Sequence, residues 1–135
     1  LAARLIFSGL MERLPNLKLL LGRLGGSITL YAGRIQQGWE MRHKRKDGPS
    51  WGPDNLSESF MDSLQKIHVD TQTYHPPAIK CAVETLGIER VLYGTDYPPV
   101  PRSRALSIDD VRDTLLPPDQ LQMILGDNAA RLFNI

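Results

Sequence analysis

Three short apolar runs, each too short for a helix and each followed at once by polar or glycine-rich residues, constrain this chain more than any other feature. They are Leu17-Lys18-Leu19-Leu20-Leu21, Ile67-His68-Val69-Asp70-Thr71 and Arg90-Val91-Leu92-Tyr93. Runs of four to eight residues bounded by turn formers read as buried strands. Helix-patterned stretches separate them, and strands that alternate with helices imply parallel pairing through right-handed crossovers. The expected class is therefore α/β. The chain has 135 residues, one domain's worth of protein. Three strands are nevertheless few for a covered parallel sheet, so the pattern reads as part of a larger α/β object.

The helical stretches are expected over Leu1–Leu14, Ser27–Arg45, Ser57–Gln65, Pro76–Leu86, Ser107–Leu115 and Pro118–Leu125, with a last one begun by Asp127 or Asn128. Pro15-Asn16 stops the first. Ser57 before Glu58 gives the third a capping-type start. Pro76-Pro77 opens the fourth and Gly87 caps its end. Lys44–Asn55 and Pro98–Arg104 read as loops.

Charge and composition exclude some functions. Lys and Arg total 16 against 15 Asp and Glu, so bulk charge offers no basis for a nucleic-acid or polybasic membrane role. No apolar run approaches the roughly 18 residues of a membrane span. The single cysteine, Cys81, excludes an internal disulfide and fits a reducing, cytoplasmic compartment; between apolar neighbours it reads as a small core residue. The chain starts at Leu1 rather than Met, with no signal-peptide pattern, which is expected if it begins after processing or partway through a longer chain.

In parallel α/β folds, ligands gather at the carboxyl ends of strands. Three such ends carry chemistry here: Gly22-Arg23-Leu24-Gly25-Gly26, then Asp70, Thr73 and His75, then Gly94-Thr95-Asp96-Tyr97-Pro98. Asp96 is the leading candidate, as a metal ligand or as a base toward metal-bound water; an Asp capping its own turn is an equal reading. Asp70 and His75 could orient and ligate a metal, but turn and helix-start chemistry is the favoured reading for both. His68, inside a strand, reads as a satisfied core or surface histidine. His43 lies in the basic run Arg42–Lys46, which reads as a solvated helix end. Gly25-Gly26 lacks the Gly-Lys-Ser/Thr of a phosphate loop and reads as allowing close backbone approach in the site. Arg34 could clamp a substrate carboxylate or lie on the surface.

Several stretches carry a family resemblance. Ser8-Gly9-Leu10-Met11-Glu12-Arg13-Leu14-Pro15-Asn16-Leu17-Lys18 into Leu24-Gly25-Gly26, then Leu92-Tyr93-Gly94-Thr95-Asp96-Tyr97-Pro98, then Gly126-Asp127-Asn128-Ala129-Ala130-Arg131-Leu132-Phe133 resemble the C-terminal part of amidohydrolase-related (β/α)8 barrels. Together with Gly33–Arg42 they are similar to the aminocarboxymuconate-semialdehyde decarboxylase branch and its resorcylate and dihydroxybenzoate decarboxylase relatives.

The resemblance implies that residues 1–135 are a partial TIM barrel holding strands six to eight, from a fold that takes roughly 250 residues. It implies a divalent metal, zinc or manganese, with Asp96 in the eighth-strand ligand position and the histidine ligands without counterpart in this chain. It implies that Arg34 and the Gly25-Gly26 loop bind the substrate, and that the full-length protein is a homodimer or homo-oligomer. The implied activity is a carboxy-lyase acting on a carboxylated aromatic or muconate-type small molecule, with a lactone or amide hydrolase or a degenerate non-catalytic barrel piece as alternatives. The isolated chain is expected to be inactive and poorly soluble, because its outer strands lack their neighbours.

One departure matters. The family places a histidine before the Gly-Gly pair, where this chain has Arg23. A guanidinium stays protonated and cannot act as a general base. Altered or lost activity, a substrate-binding arginine, and a sequence error (His and Arg codons can differ by one base) all remain open.

Overall fold

The computed structural model describes residues 1–44, 56–98 and 104–135. The turn-rich stretch expected between helices at 45–55, and most of the proline-rich loop, 99–103, lie outside the described residues, as does the end of the basic run.

The three apolar runs form one parallel sheet of β1 (Leu20–Leu21), β2 (His68–Asp70) and β3 (Val91–Leu92), in that spatial order. Leu20 stands opposite His68 and Leu21 opposite Val69, while Val69 pairs with Val91 and Asp70 with Leu92. Strand side chains alternate between faces. One face therefore carries Leu21, Val69 and Val91, and these join the main core with Phe60, Leu64, Ile79, Val111 and Ile124. The other carries Leu20, His68, Asp70 and Leu92. There Leu20 is 40% exposed, while His68 and Asp70 are buried. The first face buries the apolar side chains, each worth roughly 1.5–3 kcal/mol; the second carries the polar groups.

The paired segments are shorter than the apolar runs. Leu17 and Leu19 precede β1 without pairing as strand, and Leu17 is exposed. The expected first helix is two, α1 (Ala2–Phe7) and α2 (Leu10–Arg13). Gly9, at φ 72°, breaks it, a left-handed conformation that costs glycine little. A long helix α3 (Ile28–Lys44) follows the glycine loop. Helix α4 (Phe60–Leu64) starts later than the sequence suggests. Its cap is Ser59, whose Oγ accepts the Asp62 N–H while Asp62 accepts the Ser59 N–H. Glu58 instead pairs with Lys66.

Helix α5 (Pro76–Leu86) matches its expected bounds and buries Ile79, Ala82 and Leu86 as one stripe. Its Cys81 is half-buried. A 3-10 turn, Ile88–Arg90, leads into β3. Helix α6 (Arg104–Arg112) begins and ends about a turn earlier than expected.

The C-terminal helices are not separate. Helix α7 (Pro118–Gln122) passes through a π turn, Met123–Asp127, into α8 (Asn128–Phe133). The Ile124 carbonyl accepts the Tyr93 N–H at 2.9 Å, and Asn128 Nδ2 donates to the Ile88 and Val91 carbonyls, both at 2.8 Å. This helix thereby fastens the ends of β3. Among the described residues no helix is long and apolar enough to cross a membrane.

Candidate functional site

Parallel pairing puts the three strand ends at one edge, where Asp70 is the innermost group. It is 7% exposed on the central strand. Its Oδ1 accepts the Arg23 N–H at 2.7 Å and the Gln72 N–H at 3.1 Å. Glycines stand on both sides. A methyl at Gly94 would lie 3.0 Å from Asp70 Cβ and 3.2 Å from Gln72 Nε2, and one at Gly22 would lie 3.5 Å from Asp70 Oδ2. The carboxylate thus depends on the glycine at 94, where a side chain would crowd it, while a methyl at Gly22 would only touch it. Burial pushes its pKa up, and the Asp96 charge adds to this; the Gln72, Arg23 and Leu24 amides oppose it. Turn chemistry accounts for the Gln72 bond alone; the Arg23 bond and the neighbouring charge tie Asp70 to both flanking strand ends.

Among the described residues Asp96 caps no turn of its own. Thr95 Oγ1 takes that role, accepting the Tyr97 N–H at 3.3 Å. The Asp96 carboxylate is left to accept the Tyr74 hydroxyl at 3.4 Å, with the Arg23 guanidinium 3.9 Å away. Its side chain is 16% exposed, whereas that of Arg23 is 74% exposed. Thr71 Oγ1 accepts the Gly94 N–H at 3.2 Å and so holds the third loop against the second.

Backbone conformation marks the same edge. Arg23, Leu24, Tyr74 and Asp96 all have φ between 52° and 57°, in the left-handed region that non-glycine residues rarely enter. Such conformations persist where the surroundings impose them, and they concentrate at functional sites. Thr73, beside Tyr74, has a buried hydroxyl with no partner among the described residues.

The structure thus brings Asp96, Arg23 and Asp70 together. It separates the glycine pair by role. A methyl on Gly25 would meet Ile28 Cγ2 at 3.1 Å and Val69 Cγ1 at 3.4 Å, so this glycine permits close packing on the core. Gly26, at φ 74°, has nothing within 4 Å of such a methyl. Arg34 is exposed and lines a cavity with Gly26, Tyr31 and residues of α1; Asp96 and Arg23 are not in that lining. His75 stands exposed at the start of α5 and makes no capping bond. The side chain of His43 lies outside the described residues.

Sequence reasoning passed over Tyr74 and Gln72. Their one signal was position, directly after a strand that ends in a carboxylate. For a metal, Asp96 offers an oxygen, but no three His, Cys, Asp or Glu side chains converge among the described residues. These residues alone do not make the three-ligand set that zinc takes.

Comparison with known proteins points one way. The family model described as Amidohydrolase matches residues 1–135. A 2-amino-3-carboxymuconate-6-semialdehyde decarboxylase of Dictyostelium discoideum is 33% identical over 98 residues, covering 70% of this chain and 24% of that protein. The crystal structure of 5-carboxyvanillate decarboxylase LigW from Sphingomonas paucimobilis superposes with a TM-score of 0.83 at 29% identity, covering 99% of this chain and 38% of that one. A 2,6-dihydroxybenzoate decarboxylase complexed with 2,6-dihydroxybenzoate gives a TM-score of 0.81 at 27% identity over 99% of this chain and 40% of that one. A dihydroxybenzoic acid decarboxylase from Polaromonas with bound manganese shares the fold at 24% identity, with a TM-score of 0.81, over 98% of this chain and 38% of that one. The chain spans between about a fifth and two-fifths of the length of the curated relatives it matches.

Proposed function

The chain belongs to the amidohydrolase family, and we propose that it forms part of the active site of a carboxy-lyase acting on a carboxylated aromatic or muconate-type small molecule. The observation that carries this is the Asp96 carboxylate at the carboxyl edge, held by Tyr74 and Arg23 in front of the buried Asp70. In this reading the three strands are the sixth to eighth of a (β/α)8 barrel.

Decarboxylation breaks the bond between the ring or diene carbon and its carboxylate, releases carbon dioxide and places a proton on that carbon. The reaction needs a cation for the carboxylate and a group that moves the proton. Asp96 is suited to the proton, since Tyr74 fixes its position and its side chain is only partly open to solvent. The exposed Arg23 guanidinium can turn to a substrate carboxylate as a bidentate partner without leaving the loop that Asp70 anchors. Arg34 is a second candidate for that carboxylate in this reading, from a neighbouring subunit of a homodimer. Asp70 is a positioning residue, because its carboxylate orders the Arg23 loop through the backbone. A divalent metal, zinc or manganese, would draw Asp96 alone from this chain, with its other ligands supplied from beyond these residues. A cytoplasmic location is part of the same reading.

The test is carbon dioxide release, on a panel of hydroxybenzoates and carboxymuconates, by the manganese- or zinc-supplemented whole protein of which these residues form part; residues 1–135 alone are expected to release none. Release from at least one, abolished in Asp96→Asn, is the expected result. Hydrolysis of lactones or amides without gas would replace the reading with a hydrolase. No turnover in the protein or in Arg23→His would leave the non-catalytic reading standing.

A further inference from the structure

The opposite edge of the same sheet holds a second built site. A cavity of about 580 Å³ opens where the strands begin, lined among others by Asn16, Lys18, His68, Arg90, Asn128 and Arg131. Lys18, His68 and Arg90 come from the approaches to all three strands. They are far apart in sequence, and the parallel register gathers them.

His68 is the informative member. It is 8% exposed. Its Nε2 lies 3.2 Å from the Arg90 guanidinium, which can only donate. Nε2 therefore accepts, and in the neutral ring the proton sits on Nδ1. That Nδ1 is buried and has no well-formed hydrogen bond among the described residues, although the Leu19 backbone beside the ring raises its pKa. The expectation of a satisfied histidine fails at this atom. A buried N–H without an acceptor costs about 1–3 kcal/mol, and His68 is among the residues that line the cavity, so an oxygen atom that reached this edge of the ring would satisfy the donor.

The charges around it agree. Lys18 Nζ donates to the Leu132 carbonyl at 2.6 Å, and neither Lys18 nor Arg90 forms an ion pair among the described residues. Lys66 is engaged by Glu58, and Glu89 is the acidic residue in the lining. Three cations without anionic partners among the described residues, Lys18, Arg90 and Arg131, thus line one polar cavity together with His68.

We propose that this cavity binds a small oxyanion, with Lys18 and Arg90 supplying charge and His68 Nδ1 donating a hydrogen bond. The site lies at the end of the sheet away from Asp96, and its existence does not depend on the carboxy-lyase reading.

Inorganic phosphate is the probe, titrated into the protein at constant ionic strength against chloride. The readouts are the melting temperature and the ¹⁵N–¹H resonances of the His68 ring. Saturable binding is expected, with a downfield shift of the Nδ1 proton as it gains an acceptor. Lys18→Gln should weaken binding about tenfold, the weight of one charge-assisted hydrogen bond. Arg90→Lys should keep much of the affinity, and Arg112→Gln, remote from the cavity, should keep all of it. Should Lys18→Gln fail to fold, the His68 ring shift in the unaltered protein still decides. Lack of saturation overturns the proposal, as does binding that leaves the His68 ring unmoved or survives Lys18→Gln unchanged.

Discussion

The two ends of β2 make opposite environments within three residues. Asp70 closes the carboxyl end, packed between glycines, taking N–H bonds from neighbouring loops and feeling a second carboxylate. His68 opens the amino end, on the same face, against Arg90 and near Lys18. Burial acts on both and shifts them in opposite senses: it raises the Asp70 pKa and lowers that of His68, because each is pushed toward its neutral form. Neighbouring charge reinforces burial at each end, negative beside the acid and positive beside the base. The contrast lies in the two titratable groups: the Asp70 carboxylate meets protein N–H donors, whereas the His68 Nδ1 has no well-formed hydrogen bond among the described residues.

The largest expected effect breaks the carboxyl edge at its chemistry. Asp96→Asn keeps the shape and the Tyr74 contact while removing the charge, so turnover should fall by about 10²-fold or more with the melting temperature nearly unchanged. Comparable losses in activity and stability would make Asp96 structural. Next comes Gly94→Ala. Its methyl would be forced against Asp70 Cβ and Gln72 Nε2, an overpacking that costs about 1–3 kcal/mol, read as a lower urea midpoint. A neutral result would show that Asp70 has room to move and is not wedged by its flanks.

Legibility in the sequence followed the same division. The strand positions and the three polar strand ends could be read from run length and punctuation, which are local, and parallel pairing from the alternation of strands with helices. Asp96 could be found because Gly94 and Pro98 bracket it within one loop. The weight of Asp70 could not, because a loop aspartate looks like a turn former until the glycines on both neighbouring strands are seen to make room for it. Gly25 was half legible: its packing partner, Val69, is distant in sequence, so its contact with the core could not be read. The early break at Gly9 and the joining of α7 to α8 through a π turn were also hidden, as tertiary bonds such as that from Tyr93 to Ile124 compensate for the irregular turn. The amino-edge cavity was the least legible, being assembled by register from residues that precede the strands.

Ser59→Ala gives a reference remote from both edges. It removes the reciprocal cap of α4, which should cost about 1 kcal/mol and leave turnover and phosphate binding untouched. A change in either would show that α4 couples to the sheet ends.

The smallest effect concerns the pH dependence of stability at the amino edge. The His68 pKa is lowered, first by burial, then by Arg90 and Lys18, against the Leu19 backbone contact that raises it. The unfolded chain therefore binds the proton more readily than the folded one. The neutral ring's contribution to stability is complete above the ordinary histidine range and is lost as pH falls through the depressed folded value. His68→Gln should flatten this acid-side decline below about pH 6.5, measured as urea midpoints at matched ionic strength. Phosphate should act in the opposite direction to burial, because an anion at Nδ1 favours the protonated ring. With phosphate saturating, the decline in the unaltered protein should shrink, and it should stay unchanged in His68→Gln. A decline of equal slope in both proteins would place the acid sensitivity elsewhere and remove His68 as the group that sets the two edges apart.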